Sequence, residues 1–186
     1  MSVFNKKGVV KLAKILEDSG FKIIATEGTG IELSKNGISF TSAERMSKNP
    51  KGLEDCIKTI SFQIEAGILF DRGNFTQVKG AKKLGIIPID IVVCNFPPIA
   101  EAIRRSADFN VSNIDVGGPL MTRAAAVNFR NVLVIVDPND YKKVGEAIIK
   151  DKVTNRLRQQ LAIKAFHYCS QYDSKIVKYL RLNDLS

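Results

Sequence analysis

The chain predicts an α/β fold, a Rossmann-type parallel sheet with helices on both faces and a helical C-terminal segment. Three observations carry this. Short runs rich in β-branched residues, the strongest being Ile86 to Asn95 and Val132 to Val136, read as strands covered on both faces. Between such runs lie stretches with apolar residues at helical spacing, the first being Val9, Leu12, Ala13, Ile15 and Leu16. Strand and helix alternate along the chain, which is the pattern of a parallel sheet.

Taken in order, Ser2 to Phe4 is a strand end, and Asn5-Lys6-Lys7-Gly8 a polar turn. The helix from Val9 stops at Ser19-Gly20, and Phe21 to Ala25 is a buried strand. Thr26 to Gly30 is a turn, with a helix expected from Ile31 to Lys35. Residues 39–56 are polar and read as a long loop. Glu65 to Phe70 is expected as a strand, Lys79 to Leu84 as a basic helix with a solvated face, and Ile99 to Arg105 as a helix. Asp137 to Tyr141 is a turn able to cap the helix that follows, Tyr141 to Lys150. Val153 to about Leu182 forms one or two helices, with Leu157, Leu161, Ala165, Phe166, Tyr172, Ile176 and Leu180 inward.

At 186 residues the chain suits one domain spanning 1–186, with no internal repeat or linker. No apolar run is long enough to span a bilayer, and no signal-peptide pattern opens the chain. Three scattered cysteines, Cys56, Cys94 and Cys169, point to a reducing, cytoplasmic setting and to packing roles. A single histidine, His167, makes a His-based metal site unexpected. The net charge of +9 suits an anionic ligand. No nucleic-acid-binding motif accompanies it, so a phosphorylated small molecule is expected and a nucleic-acid partner is not.

Two turns hold phosphate-binding chemistry. Thr26-Glu27-Gly28-Thr29-Gly30 joins a strand to a helix with glycines and hydroxyls. Asp115-Val116-Gly117-Gly118-Pro119 places an acid and two glycines ahead of a helix whose first turn tolerates proline. The same residues also fit an ordinary Gly-Gly turn before a core helix. In parallel sheets ligands sit at the carboxyl ends of strands, which puts both turns and Asn95 on one edge.

The order Ser2-Val3, Lys6, Gly8; Gly28-Thr29; Lys58-Thr59; Gly67-Ile68-Leu69; Cys94-Asn95; Ile114-Asp115-Val116-Gly117-Gly118 with Arg123-Ala124-Ala125-Ala126; Asp137-Pro138 with Asp140-Tyr141; Lys164-Ala165-Phe166; and Gln171-Tyr172-Asp173 resembles the IMP cyclohydrolase domain. That domain is the N-terminal half of a bifunctional purine-biosynthesis enzyme whose other half is a formyltransferase. The resemblance runs along nearly the whole chain. It implies a methylglyoxal-synthase-like fold and closure of formamidoimidazole carboxamide ribonucleotide to IMP with loss of water, with no cofactor and no metal. It implies a purine ribonucleotide as ligand, a separate formyltransferase as a partner, and a homodimer as one possible assembly.

The resemblance also implies roles. Lys58 and Asp115 are the catalytic pair, with Thr59 and Asn95 beside them. Ser2, Asn5, Lys6 and Lys7 match one phosphate-binding turn, and Thr26, Gly28 and Thr29 match a second, with Gly117 and Gly118 at the substrate. The chain departs from the family at several positions. Cys56, Ser61 and Phe62 replace the arginine, histidine and proline around the family's Lys-Thr pair. Glu65 stands for a histidine, Pro97 for a tyrosine and Val127 for a catalytic lysine. Phe4 and Lys7 replace a serine and a threonine, and Glu27 enters the second turn. Arg72, Arg123 or Lys7 are candidates to replace the lost cations. These departures leave open a binding module of the same fold. A methylglyoxal synthase is the third alternative, for which the position of His167 is unsuited.

Overall fold

The computed structural model describes residues 1–50, 52, 57, 59–99 and 114–182. Among them the elements run β1 (Ser2–Val3), α1 (Val9–Asp18), β2 (Ile24–Ala25), α2 (Glu27–Lys35), β3 (Thr41–Ser42), α3 (Ala43–Ser47), α4 (Phe62–Leu69), α5 (Phe75–Lys83), β4 (Ile91–Asn95), α6 (Gly117–Val127), β5 (Leu133–Ile135), α7 (Tyr141–Ile149) and α8 (Asn155–Leu182). β1 pairs in parallel with β4, Ser2 opposite Cys94, and β4 with β5, Ile91 opposite Leu133. β2 pairs in parallel with β3, Ile24 opposite Thr41. Met1 stitches the two groups together. Its amine donates to the Ile24 carbonyl at 2.6 Å, and its carbonyl accepts from the Thr26 N–H at 3.1 Å. The spatial order is therefore β3-β2-β1-β4-β5, all parallel.

α6 and α8 pack together and against β4 and β5, and α1 packs on α2 and α7. The core they close contains Leu12, Ile68, Val93, Ala125, Leu133, Ile135 and Val144, all buried. A cavity of about 460 Å³ opens beside it, walled by Ile23, Ile64, Ile68, Val92 and Met121, with Ser2, Thr26 and Thr59 also lining it. No helix among the described residues is long and apolar enough to cross a membrane.

Several elements differ from their sequence expectation. Glu65 to Phe70 lies in helix α4 and the residue after it, not in a strand. The Ser61 hydroxyl accepts the Ile64 N–H at 3.1 Å and starts the helix at Phe62, which puts Glu65 in its first turn. The loop expected over 39–56 contains β3 and α3, the latter capped by Ser42, whose hydroxyl accepts the Arg45 N–H. β4 begins at Ile91 and not Ile86. Pro88 has no N–H to give a ladder, and the Ile89 N–H turns to the Gly67 carbonyl. α2 begins at Glu27, so Gly28 and Thr29 belong to its first turn. The C-terminal segment is one helix on which Phe166 and Leu180 are exposed, while Leu157, Leu161, Ala165 and Tyr172 are buried as expected. Of the helix expected over Ile99 to Arg105, only Ile99 is described.

Candidate functional site

Every strand points its carboxyl end to the same edge, and the loops there carry the predicted residues. The first cluster is made of hydroxyls. Thr29 is buried in the first turn of α2, and its Oγ1 accepts the Val3 N–H at 3.0 Å. The Thr26 hydroxyl lies 3.3 Å from Ser2 Oγ and 3.5 Å from Thr29 Oγ1. The Glu27 and Gly28 N–H groups at the helix start have no intrahelical acceptor. Gly28 is exposed, with open space where a side chain would be. Hydroxyls around a helix N-terminus form an anion-binding cradle. Glu27 is exposed beside it.

The turn after β1 is held by Asn95. Its Oδ1 accepts the Asn5 N–H at 2.7 Å, and its Nδ2 donates to the Asn5 carbonyl at 3.3 Å. Asn95 is buried, so its side chain is spent on positioning this turn. Asn5 Oδ1 in turn accepts the Lys7 N–H, and Lys7 is exposed. Lys6 curls back so that its Nζ donates to the Val3 carbonyl at 3.0 Å. Lys6 lines an open cavity of about 630 Å³ with Asn95, Phe96, Lys164, His167 and Tyr168.

Asp115 precedes α6. Its Oδ1 accepts the Gly118 N–H at 2.9 Å, and the Gly117 N–H points at the same carboxylate. The helix start is thus occupied by the chain's own acid, so the Gly117 and Gly118 amides are not free for a phosphate. Burial raises the Asp115 pKa, and the two glycine N–H groups oppose that rise. Both glycines are required by close approach. A methyl on Gly118 would lie 2.7 Å from Asp115 Oδ2 and 3.0 Å from Phe96 Cδ1, and one on Gly117 would collide with the Thr59 hydroxyl. Thr59 is buried against this turn. Lys58 lies outside the described residues.

Of the cations proposed to compensate for lost family residues, the two arginines are engaged elsewhere. Arg72 donates to the carbonyls of Asn131 (2.8 Å) and Ile89 (2.7 Å), pairs with Asp90 and covers the Phe70 ring. Arg123 pairs with Asp173 and so ties α6 to α8. Val127 is exposed at the far end of α6, ten residues or about 15 Å from Gly117. A lysine there would not reach Asp115 of the same chain. The Lys164 ammonium bridges Asp137 at 2.6 Å and Asp140 at 2.7 Å. Burial opposes its charge, but these bonds raise its pKa, and the same bonds lower that of Asp137 against burial. Cys94 and Cys169 are buried packing residues, and burial pushes the Cys94 thiol up to about 12. No group of acids, cysteines and histidine suited to a metal ion occurs among the described residues.

One residue that spacing marked only as inward on the C-terminal helix belongs to this edge. The Tyr172 hydroxyl accepts the Asp115 N–H at 2.9 Å. The available signal was its place on the inward face of α8, which does not by itself say what it touches.

Two family models match the chain, the MGS-like domain over residues 8–120 and the AICARFT/IMPCHase bienzyme over residues 125–185. This chain belongs to the MGS-like domain family. Curated relatives that it resembles are bifunctional purine biosynthesis proteins. The bifunctional purine biosynthesis protein PurH of Caldicellulosiruptor bescii is 42% identical over 185 residues, covering 97% of this chain. PurH of Persephonella marina is 40% identical over 183 residues, and that of Dictyostelium discoideum 35% over 197. The chain spans about 36% of the length of each. The crystal structure of ForH superposes with a TM-score of 0.83 at 29% identity, covering 95% of both chains. The described residues therefore take the MGS-like fold, and the Arg123–Asp173 and Lys164–Asp137 pairs tie its C-terminal helix to the rest.

Proposed function

We propose that this MGS-like domain is an IMP cyclohydrolase, closing the purine ring of formamidoimidazole carboxamide ribonucleotide to IMP. The observation that carries this is the placement of the Ser2–Thr26–Thr29 hydroxyl cradle and the half-buried Asp115 at one sheet edge. The cradle at the start of α2, with Lys6 beyond β1, anchors the ribonucleotide phosphate. Binding then folds the substrate so that its amide nitrogen meets its own formyl carbon, which supplies rate through proximity. The nitrogen–carbon bond forms as Asp115 takes one proton from the attacking amide nitrogen. The carbon–oxygen bond then breaks, the formamido nitrogen gives up its proton to form the ring's C=N bond, and the former formyl oxygen leaves with both protons as water. Lys58 stabilises the charge on that oxygen. The upward pull of burial on Asp115 suits a group that must both accept and return a proton.

Purified protein given the formamido ribonucleotide is expected to release IMP. Lys58→Ala and Asp115→Asn should each cut turnover by on the order of a hundredfold or more. IMP formation no faster than the uncatalysed rate rejects the proposal. A second reading, a binding module without turnover, is favoured by Arg72 and Arg123 being committed to structural pairs while Cys56 stands where the family has arginine. Calorimetry with IMP separates the two, since the module binds and does not react. A separate formyltransferase is the partner class expected to supply the formylated substrate.

A further inference from the structure

The C-terminal helix α8 touches the candidate site through two tyrosines spaced four residues apart, on one face of the helix. The Tyr168 hydroxyl lies 3.3 Å from both the N–H and the carbonyl of Phe96, just after β4. The Tyr172 hydroxyl lies 2.9 Å from the N–H of Asp115, just before α6. Between them sits the Phe96 ring, its centroid 4.5 Å from that of Tyr168 and 4.6 Å from that of Tyr172, the latter edge-on. Phe96 also packs against Gly118, the residue whose N–H the Asp115 carboxylate accepts. Two further contacts fix the height of α8 here, the Arg123–Asp173 pair and Cys169 against the Pro119 carbonyl. Asp115 is thus gripped twice, at its carboxylate by α6 and at its backbone by α8.

We propose that Tyr172 is a positioning residue for Asp115, its hydroxyl setting where the acid's carboxylate stands against the Gly117 and Gly118 N–H groups. Without the hydroxyl, the Asp115 N–H is left in a half-buried place with no acceptor, a loss the backbone relieves by moving toward water. That movement lengthens the carboxylate's bonds to the glycine amides. Those bonds are what hold its ionisation down against burial, so weakening them raises it further. The effect is geometric, because no charge is removed. Among the described residues, the ionisable groups that sense Asp115 are Cys94 on β4 and Tyr168 and Tyr172 on α8, and burial raises all three, so they stay neutral around pH 7.

The test compares Tyr172→Phe with Tyr168→Phe. Each keeps its ring and so the packing around Phe96. Carbon-detected NMR of aspartate-labelled protein reads the Asp115 carboxyl titration, and hydrogen exchange reads its amide. Tyr172→Phe should raise the Asp115 titration midpoint by about one pH unit and speed exchange of its amide about tenfold or more, while Tyr168→Phe leaves both as in the parent. Unchanged values in Tyr172→Phe overturn the proposal. So does an equal change in Tyr168→Phe, which would mean only that α8 had loosened. These readouts need no turnover. The kinetic arm rests on the cyclohydrolase reading and predicts about tenfold lower kcat in Tyr172→Phe, with KM within about threefold and the acid limb moved upward. Parent protein with no turnover, alongside the NMR result above, defeats the cyclohydrolase reading and leaves the Tyr172 assignment standing.

Discussion

Glu65 stands where the family has a histidine, and replacing it tests the electrostatics of α4 directly. Both of its carboxylate oxygens are sealed from solvent and accept no hydrogen bond among the described residues. Burial alone pushes its pKa from 4.5 to about 7. The folded protein therefore holds a proton on Glu65 at pH values where the unfolded chain has released it. A raised carboxyl pKa means that stability falls as pH rises from about 4.5 to about 7, and stays low above that. The full difference of about 2.5 pH units corresponds to about 3.4 kcal/mol. The side chain as a whole is only partly enclosed, so solvent screening cuts this to about 1–2 kcal/mol. Glu65→Gln keeps the shape and removes the titration. Thermal melts of both proteins at pH 5 and pH 8 should show a small difference at pH 5. At pH 8 the glutamine variant should melt higher by roughly 2–8 °C, taking about 2–4 °C per kcal/mol for a domain of this size. A gap that is the same at both pH values would refute the reasoning, because only a titrating Glu65 makes the gap depend on pH.

Gly118→Ala should drive the Asp115 carboxylate off the α6 N–H groups. The lost charge-assisted bond is about 1.5–3 kcal/mol, read as a drop of roughly ten- to a hundredfold in IMP formation by a protein that still folds by circular dichroism. Thr29→Val leaves the buried Val3 N–H without an acceptor and should lower the urea unfolding free energy by about 1–3 kcal/mol, while weakening IMP binding in calorimetry. Arg72→Met removes the donors to the Asn131 and Ile89 carbonyls. It should destabilise by about 2–3 kcal/mol in the same unfolding assay, with IMP affinity unchanged because Arg72 lies outside the binding edge.

The parallel sheet and the edge where its strand ends gather were legible because strand ends and glycine turns follow local rules. Val132 to Val136 and the Asp115 turn needed no distant partner to be read. The misread segments are those where a local signal was ambiguous or overridden. Glu65-Ala66-Gly67-Ile68-Leu69-Phe70 is apolar enough for either a strand or a buried helix, and the Ser61 cap three residues before Ile64 decides it. Ile86 to Asp90 is β-branched, yet it leaves the ladder because Gly67 draws close and offers its carbonyl to Ile89. Asn95, Arg72 and Arg123 looked available for ligand in sequence, and only three-dimensional contacts reveal that their polar groups are already used. Tyr172 was hidden for the converse reason, since its partner Asp115 lies 57 residues earlier in the chain.

The same long separations bear on how a ligand will be felt. Asn5 and Asn95 meet across 90 residues, and Val3 and Thr29 across 26, so the cradle exists only when distant parts of the chain have closed on each other. A nucleotide that favours the cradle must then favour the whole native state, adding about 2.7 kcal/mol of apparent stability at a hundredfold excess over Kd. For this protein, a melting curve taken with candidate nucleotides is a binding assay that needs no catalysis and no label.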